Sequence, residues 1–162
     1  MSKIIFSESD AEFMERAILI SIQNVEAGGG PFGAVIVKDG RILAEGVNTV
    51  TRNNDPTAHA EVNAIRTACH KLKTFKLTGC TIYTSCEPCP MCLSAIYWSG
   101  ISRIFFGNTK EDAKAIDFDD SFIYEEIKRP YAARSVPAIP FMREKAQQAF
   151  TLWSLKEDKI EY

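Results

Sequence analysis

Hydrophobic positions along the chain recur with two different periods, and together these predict helices packed on a sheet. Apolar residues three or four positions apart predict a first helix, which Ser7 or Ser9 would cap. Asp39-Gly40 between two short apolar runs is typical of a β-hairpin. The same reasoning predicts helices over 58–72, 91–98 and 143–155, and strands over 80–84 and 103–106. This order of elements predicts an α/β fold with a mixed sheet.

The pattern weakens after Asn108. Three prolines interrupt the stretch that follows, at Pro130, Pro137 and Pro140, and the chain ends in a highly charged segment over 156–162. We therefore predict a single domain over 1–162. Its core would cover about 1–115, and its C-terminal arm about 116–162.

Composition narrows the function classes. The chain has 162 residues, a formal net charge of -2 and a sequence pI of about 5.7, so it lacks the basic excess typical of nucleic-acid binding. The chain opens without a secretory signal, and its apolar stretches are too short to span a membrane. We expect a cytoplasmic protein without nucleic-acid or membrane partners. Its five cysteines are expected to stay reduced.

Three of those cysteines lie in one short segment, Ser85-Cys86-Glu87-Pro88-Cys89-Pro90-Met91-Cys92. A Cys-x2-Cys turn presents two sulfur atoms to one metal ion. Of the two histidines, His59 begins a predicted helix, as the cysteine pair does. Helices that follow parallel strands start at the same edge of a sheet. We therefore predict one Zn²⁺ per chain, bound by His59, Cys89 and Cys92.

Three protein ligands leave the fourth position of a zinc tetrahedron open for water, which indicates a catalytic site. Glu61 follows His59 by two positions, and a carboxylate beside the metal can take and deliver a proton. His59-Ala60-Glu61 and Pro88-Cys89-Pro90-Met91-Cys92 together match the zinc nucleobase deaminase signature, in which the glutamate is the acid/base and not a ligand.

These motifs resemble the cytidine deaminase superfamily, and within it the small bacterial guanine deaminases. The resemblance also rests on Gly30-Pro31-Phe32-Gly33-Ala34, Asn48, Phe118-Asp119-Asp120-Ser121-Phe122-Ile123-Tyr124 and the terminal Glu161-Tyr162. It implies a three-layer α/β/α sandwich around a mixed five-stranded sheet, and a homodimer that exchanges its C-terminal segments. The implied activity is hydrolytic deamination of guanine to xanthine and ammonia.

The resemblance also implies a set of substrate contacts: Phe32, Asn48, Ala60, Trp98, Asp120 and Tyr162. Asn48 would bind the purine edge. Asp120, with Asp119 as the alternative, would accept hydrogen bonds from guanine. On this prediction Asp120 and Tyr162 complete the site of the partner subunit.

Most of these residues also have a purely structural interpretation. Asn48 is a plausible turn residue, Phe32 and Trp98 are plausible core aromatics, and Asp119 and Asp120 fit a solvated turn. Cys86 is an alternative fourth metal ligand, although its place at a strand end favours a packed thiol. Cys69 and Cys80 fit the core, and His70 fits a helix end at the surface.

Two other functions remain open at this point. The tRNA adenosine deaminases share the zinc motif, but the nearest basic stretch here, 70–76, is short. A zinc-stabilised binding module without turnover would leave Glu61 unexplained.

Overall fold

The computed structural model describes residues 7–161. The first half of the chain contains α1 (Glu8–Glu26), β1 (Gly33–Lys38), β2 (Arg41–Val47), α2 (Val50–Asn53), α3 (Ala60–Leu72) and β3 (Thr81–Cys86). The second half contains α4 (Pro90–Ser99), β4 (Arg103–Asn108), α5 (Lys110–Lys114), α6 (Ser121–Lys128), a 3₁₀ turn (Tyr131–Ala133) and α7 (Arg143–Leu155). The predicted helices and strands of the core are present, with boundaries that differ by up to three residues.

Helix α1 begins as the sequence predicts, and of the two candidate caps Ser7 is the one used. The Asp10 backbone N–H donates to Ser7 Oγ at 3.2 Å, and Ser7 N donates back to the Asp10 carboxylate at 2.9 Å. This reciprocal pair satisfies backbone donors that the first turn of a helix leaves open.

The four strands lie in the order β2-β1-β3-β4. β1 is antiparallel to both β2 and β3, whereas β3 and β4 are parallel. Strands β2, β3 and β4 therefore run in one direction, and β1 alone is reversed. This direction matters for the site, because β2 and β3 precede the helices whose first turns carry the motif residues.

Alternate residues of β1 enter two separate cores, which makes the sheet the middle of three layers. Val35 and Val37 pack with Ala17 and Ile20 of α1, on one face. On the other face the core residues are Ala34, Ile36, Ala44, Ala60, Ala64, Ala68, Leu77, Cys80, Ile82 and Ile96, which come from the sheet, α3, α4 and the α3–β3 connection. The small side chains of α3 let this helix lie close to the sheet.

The fifth strand of the expected sheet is not found among residues 7–161. After β4 these residues form helices, a 3₁₀ turn and irregular backbone. Prolines at 130, 137 and 140 account for part of this difference, because proline lacks the N–H that a sheet ladder requires.

The chain divides into two compact units, Met1–Asp120 and Ser121–Tyr162. The first holds the sheet and helices α1 to α5. The second holds α6, the 3₁₀ turn and α7, and it exposes several large apolar side chains: Val136, Ile139, Phe141, Phe150, Leu152 and Leu155. Within residues 7–161 there is no helix both long and apolar enough for a membrane span.

Candidate active site

Two strand-to-helix connections, the first of which contains α2, bring the motif residues together. His59 is the N-cap of α3, after β2, and Cys89 is the N-cap of α4, after β3. Because β2 and β3 run in the same direction, α3 and α4 begin at the same edge of the sheet. Cys92 lies in the first turn of α4 and is fully buried. The predicted convergence of His59 with the cysteine pair is confirmed.

The geometry of these three side chains fits zinc. Their ligand atoms all lie within 4.8 Å of one another. His59 Nδ1 is 3.6 Å from Cys89 Sγ and 3.5 Å from Cys92 Sγ. Tetrahedral zinc bonds to one nitrogen and one sulfur would place those two atoms about 3.5–3.6 Å apart. The donor set and its spacing therefore match a Cys₂His zinc site that leaves one position open.

Electrostatics at the turn favour metal binding through Cys89. The hydrogen bond with the Cys92 thiol, supported by another with the His59 ring, lowers the pKa of Cys89 to about 4. The thiolate is the form of cysteine that binds metals, and the helix N-terminus also favours it. The same hydrogen bond and burial raise the pKa of Cys92, and the bond with Cys89 raises the pKa of His59.

Glu61 is the second residue of α3, so its carboxylate is held beside the cluster by the same turn that places His59. The residue is 7% exposed. Burial raises the pKa of Glu61, and the negative charge of Cys89 adds to that effect. A buried carboxylate with a raised pKa, adjacent to a metal site, has the properties of a proton shuttle.

Cys86 is not part of the ligand group. Among residues 7–161 the structure assembles only His59, Cys89 and Cys92 as a possible metal site. The Cys86 thiol instead points to the Thr109 carbonyl oxygen, with Sγ at 3.6 Å, and burial raises the pKa of Cys86 to about 11. It acts as a packed neutral thiol between the end of β3 and the start of α5.

Asn48 and Phe32 lie next to each other where β2 ends and β1 begins. Asn48 is buried, its N–H donates to the Phe32 carbonyl at 3.1 Å, and its Oδ1 accepts from the Val50 N–H at 3.2 Å. The Phe32 ring meets the Phe118 ring edge-on, with centroids 4.9 Å apart and planes at 88°. Phe118 was not among the predicted site residues, although its place one residue before Asp119-Asp120 was a signal for it.

Asp119 and Asp120 have different surroundings. Asp119 pairs with Lys114 at 3.0 Å. Asp120 is partly buried, and desolvation raises its pKa, with the charge of Cys89 as the next cause. Asp120 therefore lies within electrostatic reach of the cluster in its own chain. That Asp120 completes the site of the partner subunit stays a prediction.

Two predicted contacts are not brought to the cluster within the described chain. Trp98 lies nine residues beyond Cys89 on α4, roughly 14 Å along the helix axis, and is 65% exposed. Tyr162 lies outside the described residues. Ala60, by contrast, is buried and is the first residue of α3. Its backbone is therefore at the helix end nearest the cluster.

The other two cysteines and the second histidine lie in the core and at a helix end, as the sequence analysis predicts. Cys80 is fully buried and Cys69 packs against the same core. His70 is exposed in the last turn of α3.

A family model described as the cytidine and deoxycytidylate deaminase zinc-binding region matches residues 7–108. The chain belongs to this deaminase family. Zinc is therefore the cofactor, and His59, Cys89 and Cys92 are placed to bind it. The three-layer arrangement with a mixed four-stranded sheet is the deaminase fold in this chain.

Individual relatives extend the deaminase match beyond the zinc region. A guanine deaminase of Bacillus subtilis (strain 168) is 51% identical over 93% of this chain and 97% of its own length. The X-ray structure of guanine deaminase from Bacillus subtilis superposes with a TM-score of 0.92 at 49% identity, covering 97% of this chain and 99% of that one. This similarity includes the second unit as well as the zinc-binding core.

Two more distant deaminase-fold relatives match less of the chain. A tRNA-specific adenosine deaminase of Buchnera aphidicola subsp. Baizongia pistaciae is 43% identical over 62% of this chain and 62% of its own. A crystal structure in complex with 8-azaguanine has a TM-score of 0.65 at 34% identity, covering 67% of this chain and 63% of that one. A purine analogue is thus bound by a protein of this fold.

Proposed function

We propose that this chain catalyses the hydrolytic deamination of guanine to xanthine and ammonia. The observation that carries the proposal is the buried Glu61 carboxylate beside a Cys₂His metal cluster, in a chain 51% identical to a guanine deaminase. The zinc-dependent enzyme would act in purine catabolism or salvage, in the cytoplasm.

When bound, zinc would activate a water molecule for addition to C2 of the purine ring. Glu61 takes the proton that this water loses and delivers it to a ring nitrogen, which we assign as N3. The bond from C2 to the exocyclic nitrogen then breaks. Glu61 passes a further proton to that nitrogen, which leaves as ammonia. One buried carboxylate can both accept and donate a proton, because its raised pKa brings it closer to the operating pH.

The remaining residues bind and orient the planar base. Phe32 offers a stacking surface, Asn48 offers an amide to the purine edge, and the backbone at Ala60 lies at the start of α3. Asp120 accepts hydrogen bonds from the amino and ring N–H groups that distinguish guanine from adenine. Its position near Cys89 in the same chain and the pairing of Asp119 with Lys114 favour Asp120 over its neighbour.

The Asn48→Ala variant is expected to lose guanine affinity. Removing the amide leaves a polar edge of the base unpaired, at a cost of about 1–3 kcal/mol. We expect kcat/KM for guanine to fall by roughly 5–150-fold, with zinc content unchanged. Steady-state kinetics and metal analysis would test this. Unchanged kcat/KM would reduce Asn48 to a turn residue.

We further propose a homodimer in which the C-terminal arm exchanges between subunits and Tyr162 closes the partner's site. The exposed apolar side chains of Ser121–Tyr162, from Val136 to Leu155, support this because a monomer seldom leaves so many in water. Trp98, which is exposed on α4, would reach a substrate only in such an assembly. Closure by the arm would exclude water from the reaction.

Subunit mixing tests the exchange. Glu61→Gln protein is refolded together with a chain ending at Glu161, and separately with Asp120→Ala protein. If Tyr162 acts in trans and Asp120 in cis, the first mixture recovers activity and the second does not. Recovery in the second mixture would assign Asp120 to the partner subunit. Full activity of the chain ending at Glu161, or of a monomer, would refute the exchange.

The similarity to tRNA-specific adenosine deaminases makes RNA the second candidate substrate. Ammonia release should be assayed against guanine, adenine, cytosine, their nucleosides and a tRNA anticodon stem-loop. We expect release from guanine. Release from the stem-loop alone would overturn the proposed function.

A further inference from the structure

Asn24 is a buried polar residue on the apolar face of α1. The buried residues of this helix are Ala17, Ile20, Ser21 and Asn24, which share one face by their spacing. Asn24 is 4% exposed. A primary amide buried in this way is unfavourable unless its hydrogen bonds are made.

Both hydrogens of the Asn24 amide are used. Nδ2 donates to the Gly30 carbonyl at 2.8 Å and to the Asn48 carbonyl at 2.8 Å. Because both partners are acceptors, the orientation of the amide is fixed. Its Oδ1 faces Arg52 Nη2 at 3.5 Å. One side chain of α1 therefore joins the segment before β1 to the residue after β2.

Those two segments carry the proposed base contacts Phe32 and Asn48. Phe32 N donates to the Gly30 carbonyl at 2.8 Å, and Asn48 N donates to the Phe32 carbonyl at 3.1 Å. With the two bonds from Asn24 these contacts form a closed ring of hydrogen bonds. The ring holds the main chains of Phe32 and Asn48 together, from which the Phe32 ring and the Asn48 amide extend.

The sequence around Gly29 is adapted to this arrangement. A Cβ built on Gly29 would lie 2.4 Å from Asn24 Nδ2, which is too close for any side chain. A Cβ on Gly30 would lie 3.2 Å from the Asn48 side chain. The glycines before Phe32 thus allow the backbone to approach both amides.

We propose that Asn24 is a positioning residue for substrate recognition, which holds Phe32 and Asn48 in register for a planar base without contacting that base. This inference rests on the proposed function. It places the role of Asn24 in binding and selectivity, separate from the zinc cluster and from proton transfer by Glu61.

The decisive variant is Asn24→Asp, which keeps the shape but removes both donors and turns carboxylate oxygens toward two carbonyls. Without these donors Phe32 and Asn48 are no longer held in place before the base binds, so we expect KM for guanine to rise by about tenfold or more. Affinity for the product xanthine, measured by calorimetry, should fall in parallel. We expect kcat to change by less than about threefold and the zinc content to stay at one per chain.

Asn53→Asp is the matched control. Asn53 is exposed on α2, and its Nδ2 donates to Thr49 Oγ1 at 3.1 Å. The substitution is chemically the same and lies close in sequence to Asn48, but it leaves the ring of hydrogen bonds intact. It should retain wild-type KM.

Two further variants test the same proposal if Asn24→Asp does not fold. Gly29→Ala forces the Asn24 amide away from its acceptors and should raise KM in the same way. Combining it with Asn24→Ala removes the clash but not the loss of donors, so KM should stay high. Asn24 has only a structural role if Asn24→Asp, or Gly29→Ala and its combination with Asn24→Ala, lowers thermal stability but leaves KM for guanine and the affinity for xanthine unchanged. No ammonia from any base with the wild type would instead refute the proposed function.

Discussion

The Glu61→Gln variant is expected to bind zinc and fold normally but to lose turnover by at least about 10²–10⁴-fold, the usual effect of removing a general acid/base. Glutamine is nearly isosteric and keeps hydrogen-bonding capacity, but it cannot take up and release a proton. The Glu61 site is buried, with 7% of the residue exposed, so bulk water is poorly placed to replace the carboxylate. Ammonia release and metal analysis on the same preparation would test this.

A matched control is Glu45→Gln. Glu45 is a half-buried glutamate on β2 that pairs with Arg16 through two hydrogen bonds of 2.8 Å, outside the proposed site. That variant should retain turnover even if it loses some stability. Near-normal turnover of any nucleobase by Glu61→Gln would exclude Glu61 as the proton shuttle and leave the cluster as a metal site only.

The Cys92→Ala variant is expected to lose zinc, activity and stability together. His59 and the two cysteines come from turns about thirty residues apart, and the metal would join them. Metal-binding free energy therefore contributes to folding free energy. With one ligand missing, zinc should fall well below one per chain. A chelator should lower the melting temperature of the wild type but have little effect on the variant.

Cys80→Ala is the matched control for Cys92→Ala, because it removes a buried thiol that is not a metal ligand. Cys80 is as fully buried as Cys92, with 0% exposure for both, but it lies in the core between the sheet and α3. Its replacement should cost some packing energy and leave zinc and activity in place. If Cys92→Ala retained full zinc and activity, the ligand assignment would be wrong.

The sequence by itself predicted the zinc ligands and the adjacent carboxylate, because these residues fall in two short motifs at helix starts that the predicted sheet topology brings to one edge. Cys89 and Cys92 fall within one helical turn, and Glu61 follows His59 by two positions at a helix start. Such arrangements follow from chain spacing and helix pitch. The order of apolar segments likewise predicted α1, α3, α4, α7 and the four observed strands, since each type of element has its own period.

Only the tertiary structure decided which distant residues lie close to one another. Asp119 and Asp120 are indistinguishable by spacing, but in the structure Asp119 pairs with Lys114, whereas burial, and after it the charge of Cys89, raises the pKa of Asp120. The contact of Phe118 with Phe32, the distance of Trp98 from the cluster and the bonds from Asn24 to Gly30 and Asn48 also depend on packing. Contacts across tens of residues are set by how helices and strands pack, and no periodicity in the chain encodes them.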